Sequence, residues 1–230
     1  MKGGSVYNRN DPKINYDIKI NFRNYTMNLF TLLNNKPKPI TVGIIGAGKF
    51  ATMFFAQALK IPSIHIVGVV DIHPENAKSN MEMVGWDPSA FETSNLSDAF
   101  SCGKTFISDN WEELVYHESI EIIVECTGNP IAAVEHCLSA FKNQKNVINV
   151  TVEADAFCGF ALSQKAKDAG VIYSMAYGDQ PALTCELVDW ARTCGFNVIA
   201  AGRGHKWLKH YQKSTPDTVW DYWGLTKEQA

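Results

Sequence analysis

A doubly wound α/β fold on a mainly parallel sheet is what this sequence predicts, and three observations predict it. From Ile40 onward, short apolar β-branched runs alternate with helical stretches, the pattern of successive βαβ crossovers. The first run, Ile40-Thr41-Val42-Gly43-Ile44-Ile45, empties into a glycine turn, Gly46-Ala47-Gly48-Lys49-Phe50-Ala51. The second run, Ile64 to Val70, ends in an acid, Asp71, at about the 20-residue spacing expected between such a turn and a ribose-binding carboxylate. Together these are the parts of a Rossmann-type unit.

Each small residue in the turn has an expected task. Gly46 allows the tight exit from the strand, Gly48 lets the backbone approach a pyrophosphate, and Ala51 lets the following helix lie close on the strand. The helix that opens at Lys49 and Phe50 presents free N–H groups and the positive end of its dipole to the phosphates. Asp71 would accept hydrogen bonds from the adenosine ribose and repel a 2′-phosphate. No Arg follows it in Ile72-His73-Pro74-Glu75-Asn76, so NAD is expected as cofactor over NADP.

Composition sets the outer bounds. The chain has 230 residues, 46% of them hydrophobic and 20% charged, enough to bury a core in one large or two small domains. A net charge of -3 and a pI near 6.1 offer no electrostatic attraction to nucleic acid or an anionic membrane. The six cysteines, Cys102, Cys126, Cys137, Cys158, Cys185 and Cys194, show no zinc-like spacing and read as buried, reduced thiols of a cytoplasmic protein, with no metal site. The apolar runs are too short or too interrupted to span a bilayer, and Met1 to Asn24 lacks the apolar centre of a secretory signal. Residues 1–26 read as a disordered tail unless Met27, which precedes a short apolar face through Leu33, is the natural start.

Taken in order, the elements follow from periodicity and punctuation. Pro62 ends the first helix, and Pro74 to Met83 forms the next with Pro in its first turn. Leu96 to Ser101 is a short helix stopped at Gly103. A strand from Lys104 to Ser108 precedes a helix opened by Asp109-Asn110-Trp111-Glu112. The buried strand Ile120 to Glu125 runs into Cys126-Thr127-Gly128-Asn129-Pro130. Thr127 and Gly128 therefore lie at a carboxyl strand end, where the nicotinamide half of a dinucleotide passes, or make an ordinary strand-to-helix turn. The helix Ile131 to Lys142 is expected to bury Ile131, Val134, Leu138 and Phe141. Further strands are predicted at Asn146 to Val152, Val171 to Met175 and Asn197 to Ala201. The helix Gly159 to Ala169 lies between the first two of these, and the helix Ala182 to Cys194 turns Leu183, Leu187, Trp190, Ala191 and Cys194 inward.

Those three later strands deliver charged residues at one sheet edge: Glu153 with Asp155, then Asp179, then Arg203 with Lys206. Hydride transfer at a carbonyl needs a proton donor or acceptor at the oxygen, and cations suit a substrate carboxylate or phosphate. Lys206 fits either task and Arg203 the second; Glu153 and Asp179 equally fit helix caps, and the two cations solvated surface charges. Their convergence would make a catalytic set of Asp179, Lys206, Glu153 and Arg203.

Val42-Gly43-Ile44-Ile45-Gly46-Ala47-Gly48-Lys49-Phe50, Glu125-Cys126-Thr127-Gly128, Val152-Glu153-Ala154-Asp155, Gly178-Asp179-Gln180-Pro181-Ala182 and Ser214-Thr215-Pro216-Asp217 resemble one family. It is the homoserine-dehydrogenase-like oxidoreductases, including the deoxyxylulose-phosphate-reductoisomerase-like (DRL) enzymes, many of which end in a SAF domain. The resemblance runs from about Met27 to Ala230. It implies an NAD(P)-binding domain over residues 27–155, the beginning of an α+β catalytic region over 156–230, a sheet that supports homodimers, and substrate chemistry near Glu153, Asp179, Arg203 and Lys206. Members resembling the reductoisomerase-like enzyme lack an acid at the position of Asp71 and use NADP. Family members also continue beyond Thr215-Pro216-Asp217, so the sequence reads as a fragment, a truncated product or a minimal relative. The expected activity is oxidation or reduction of a small polar, acidic or phosphorylated metabolite. The alternatives are homoserine dehydrogenase or reductoisomerase-like chemistry, or non-catalytic dinucleotide binding.

Overall fold

The computed structural model describes residues 38–178, 180–204, 208–215, 217, 218, 220, 222 and 226. The expected tail over 1–26, the apolar face from Met27 to Leu33, Asp179 and Lys206 lie outside the described residues. Among the described residues six strands and seven α-helices follow one another: β1 (Ile40–Ile45), α1 (Lys49–Ala58), β2 (Ile64–Val70), α2 (Pro74–Met83), α3 (Leu96–Cys102), β3 (Phe106–Ser108), α4 (Trp111–Tyr116), β4 (Ile122–Glu125), α5 (Pro130–Lys142), β5 (Asn146–Asn149), α6 (Val152–Ala169), β6 (Tyr173–Met175) and α7 (Gln180–Thr193). The strands form one sheet in the order β3-β2-β1-β4-β5-β6, parallel at every pairing. The α/β doubly wound expectation is thereby met.

Both faces of this sheet are covered, which is why its central strands are apolar almost without interruption. On one face α1 and α2 bury Ala51, Phe55, Ala58, Ala77 and Met81 against Val42, Ile44, Ile66 and Val69. On the other, α3 to α6 bury Leu96, Leu114, Cys137, Ala140, Phe141 and Leu162 against Ile45, Val67, Val70, Ile123 and Val147. Phe55 is fully buried, and burial of such a ring contributes about 1.5–3 kcal/mol. The strand order reverses between β1, which is flanked by β2, and β4 on its other side. A crevice opens there at the carboxyl ends.

Several expectations are corrected. β5 stops at Asn149, and Thr151 stands before the first turn of α6, so Glu153 and Asp155 begin a helix rather than occupy a loop. The predicted helix Gly159 to Ala169 is the second half of α6, beyond a kink at Cys158 (φ -146, ψ 22). The buried face of α5 is Ala133, His136, Cys137, Ala140 and Phe141; of the expected stripe Phe141 is buried and Val134 packs against the core, while Ile131 and Leu138 are exposed, Ile131 at 82%. Small residues win that face because they let the helix lie close to the sheet and to α6. Residues 197–201 form no strand. The expected inward side of α7 is largely exposed, Leu187 at 64% and Trp190 at 59%, although the helix touches β6 and its Leu183, Leu187 and Ala191 line a cavity with Val198, Ala200 and Gly202. The thiols are all free, but Cys102, Cys185 and Cys194 are exposed, the last two because α7 is open. Among the described residues no helix is long and apolar enough to cross a membrane.

Gly46 has φ +95, and a β-carbon there would stand 2.8 Å from the backbone C and O of Cys126 and the N of Thr127. Gly46→Ala should therefore destabilise the fold by about 2–4 kcal/mol through left-handed strain and backbone overlap. A chemical-denaturation midpoint unchanged from the parent would contradict this contact.

Candidate functional site

The crevice holds a cavity of about 460 Å³ lined by residues from four carboxyl-edge segments: Gly46 and Gly48, Asp71 to His73, Asp109 with Trp111, and Cys126, Thr127 and Asn129, closed at depth by His136. Of the residues expected at a cofactor, Gly46, Gly48, Asp71 and Thr127 line it, while Lys49, Phe50 and Gly128 flank it. Gly48 stands at the N-terminus of α1 with no side-chain cap. A β-carbon there would meet no protein atom within 4 Å, so the space beside it is free for a ligand. By contrast, the first amides of α5 are taken: Asn129 Oδ1 accepts from Ile131 N (3.1 Å) and Ala132 N (3.2 Å). Of these two helix ends, that of α1 is the one left open to an anion.

Asp71 ties the glycine turn to the end of β2. Its Oδ2 accepts from Ala47 N at 2.7 Å and its Oδ1 from His73 N at 2.9 Å; each carboxylate oxygen retains capacity for a further donor. The Cys126 thiol donates to the Gly46 carbonyl at 2.9 Å. Burial, followed by the neighbouring carboxylates of Glu125 and Asp71, pushes its pKa far up. It acts as a neutral spacer, since the thiolate is the nucleophilic form.

Below Thr127 lies a polar cluster that spacing alone did not single out. Glu125, fully buried, accepts from Thr127 Oγ1 (2.6 Å), Thr127 N (3.3 Å) and Thr151 Oγ1, and His136 Nδ1 lies 3.3 Å from its Oε1. The His136 ring leans on Trp111 with centroids 4.8 Å apart. The signal available in the sequence was an acid closing an apolar strand two residues before a threonine.

Of the residues expected in catalysis, Asp179 and Lys206 lie outside the described residues. Glu153 is exposed on the first turn of α6. Arg203 is exposed in an irregular segment, its Nε donating to Gly204 O. Neither lines the cavity. Asp155 does face a cavity, a second one of about 500 Å³ beside the end of β6, shared with Ser163, Tyr173, Tyr177 and Glu186. Tyr173 donates to Asp155 Oδ1 at 3.0 Å and is held protonated by burial and then by that carboxylate.

Residues 40–177 match the family model for GFO/IDH/MocA oxidoreductases, described as an NAD-binding Rossmann fold. The chain belongs to this oxidoreductase family. Residues 178–230 match the catalytic domain of oxidoreductase DRL, in keeping with the resemblance of the Gly178-Asp179-Gln180-Pro181-Ala182 segment. No curated protein matches the chain. Similar solved structures include a homoserine dehydrogenase from Thiobacillus denitrificans (21% identity, 60% of this chain and 29% of that one, TM-score 0.45). An NAD-binding oxidoreductase from Klebsiella pneumoniae is also similar (15% identity, 68% and 39%, TM-score 0.47), as is a scyllo-inositol dehydrogenase from Lactobacillus casei (16% identity, 67% and 42%, TM-score 0.43). The chain spans well under half the length of each.

The cavity geometry makes a prediction for the thiols. Burial, with Glu125 next in effect, pushes the Cys137 thiol up to about 12, and Cys126 is raised further. Both stay protonated in the folded protein at pH 9, where an unfolded thiol is largely ionised. Iodoacetamide should modify Cys102, Cys185 and Cys194 and spare Cys126 and Cys137 until the protein is denatured; peptide mapping that finds Cys137 alkylated in the native state would contradict this. The same sign makes stability fall as pH rises above the ordinary thiol range, because only the unfolded state then releases these protons.

Proposed function

We propose that this chain binds NAD(H) in the crevice between β1 and β4 and serves an oxidoreductase acting on a carbonyl or hydroxyl of a small polar, acidic or phosphorylated metabolite. The observation that carries the reading is the open space at Gly48 before the uncapped start of α1, with Asp71 closing the same cavity. The residues fit the group: the α1 amides and Gly48 take the pyrophosphate, Asp71 takes the adenosine ribose, and Thr127 with Gly128 borders the nicotinamide. When bound, the dinucleotide supplies hydride transfer.

For substrate chemistry, Asp179, Arg203 and Lys206 are proposed to act beside the nicotinamide, with Lys206 polarising the substrate oxygen and Arg203 meeting an anionic group. Glu153, exposed on α6, is proposed for substrate contact only. The whole enzyme is proposed to work as a homodimer in the cytoplasm. Non-catalytic dinucleotide binding is the second reading, supported by the exposure of Glu153 and Arg203, neither of which lines the cavity.

Calorimetry tests the binding reading. NAD(H) should bind at least about tenfold more tightly than NADP(H), a difference of about 1.4 kcal/mol, because Asp71 faces the 2′ position. Gly48→Val should abolish binding without loss of fold, since its side chain enters space occupied by no protein atom. Equal affinity for the two cofactors would remove Asp71 from the site, and full NAD affinity in folded Gly48→Val would place the pyrophosphate elsewhere.

A further inference from the structure

Three consecutive backbone amides at the end of β4 are all satisfied within the protein. Thr127 N donates to Glu125 Oε1 (3.3 Å), Gly128 N to Thr151 Oγ1 (3.0 Å) and Asn129 N to Thr127 Oγ1 (3.2 Å). The two threonine hydroxyls that accept these bonds donate their own hydrogen bonds to Glu125. One buried carboxylate thus fixes the β4–α5 turn, the start of α6 through Thr151, and, through His136, the second turn of α5. A turn whose amides are consumed in this way is no anion cradle, which suits the uncharged carboxamide and ribose of nicotinamide rather than a phosphate.

We propose that Glu125 is a positioning residue for the nicotinamide end of the cofactor, holding the β4–α5 and β5–α6 connections in a single geometry. The proposal rests on the dinucleotide reading of the same cavity. A fully buried carboxylate is costly, and an apolar residue of similar volume would often serve stability as well or better. The four donors gathered on Glu125 supply what an apolar residue lacks: a directional link between two connections far apart in sequence. Glu125→Gln replaces one accepting oxygen by a donor, which faces hydroxyl or ring donors already committed to it. Thr151→Val keeps the shape and removes the hydroxyl that joins Gly128 to Glu125.

The test titrates the full chain with NADH and with ADP-ribose, which shares the adenosine and pyrophosphate but has no nicotinamide. Both variants should lose about tenfold or more in NADH affinity, the size expected when buried donors lose their acceptor, and keep ADP-ribose affinity within about twofold. Unchanged NADH binding in both variants overturns the proposal. So does a parallel loss of both ligands, which would make Glu125 a purely structural residue. If Glu125→Gln does not fold, Thr151→Val decides by the same comparison. A parent chain that binds neither ligand overturns the dinucleotide reading itself, an outcome distinct from a parent that binds both while the variants match it.

Discussion

The contact on which the site depends is the approach of the Gly46 turn to the backbone of Cys126 and Thr127. Two connections at the switch point of the sheet meet with no room for a β-carbon, and the Cys126 thiol bonds the Gly46 carbonyl across that contact. Because β1 and β4 are neighbours in the sheet, their carboxyl ends emerge side by side, and only glycine lets the two turns close into one floor. Asp71 then ties the same turn to β2. Three strand ends are thereby locked into a single concave surface, and the free N-terminus of α1 opens onto it.

The two halves of the crevice are built from different interactions. On the side of Gly48 and Asp71, backbone amides and one carboxylate remain available to a ligand. On the other side, donors and acceptors are satisfied within the protein, from Glu125 through Thr151 to Asn149, whose side chain bonds Thr151 and Tyr173. This chain of bonds ends at Asp155, so the floor of the first cavity and the wall of the second belong to one polar network. Buried networks of this kind hold their geometry when every member is satisfied.

The first βαβ unit was legible because each of its residues is constrained locally: β-branched strand, glycine turn, small residue on the helix, acid at the next strand end. Boundaries of α2 followed from Pro74, and that of α3 from Gly103. The buried face of α5 was read correctly at Phe141 but not at Ile131 and Leu138, because large apolar residues were taken to mark the core, whereas contact with the sheet and α6 also selects Ala133, Cys137 and Ala140. The run from Asn197 to Ala201 was read as a strand because its composition suits one, but strand formation needs a pairing neighbour, which composition does not reveal. The role of Glu125 as a hydrogen-bond hub was not legible for a related reason. Its partners His136 and Thr151 lie 11 and 26 residues away, a convergence produced by the fold and invisible to local spacing. Glu153 was expected in a loop at a strand end, but Thr151 stands before α6 and places it on that helix's first turn.

Hydrogen–deuterium exchange with and without NADH measures the central claim most directly, since it reads the backbone amides that the crevice presents. The account predicts that NADH slows exchange in the segment from Ala47 to Thr52 and, in the same experiment, around Asp71 to His73 and Thr127 to Asn129. Protection absent from the Ala47 to Thr52 segment, or confined to α7 and residues 198–202, would contradict it.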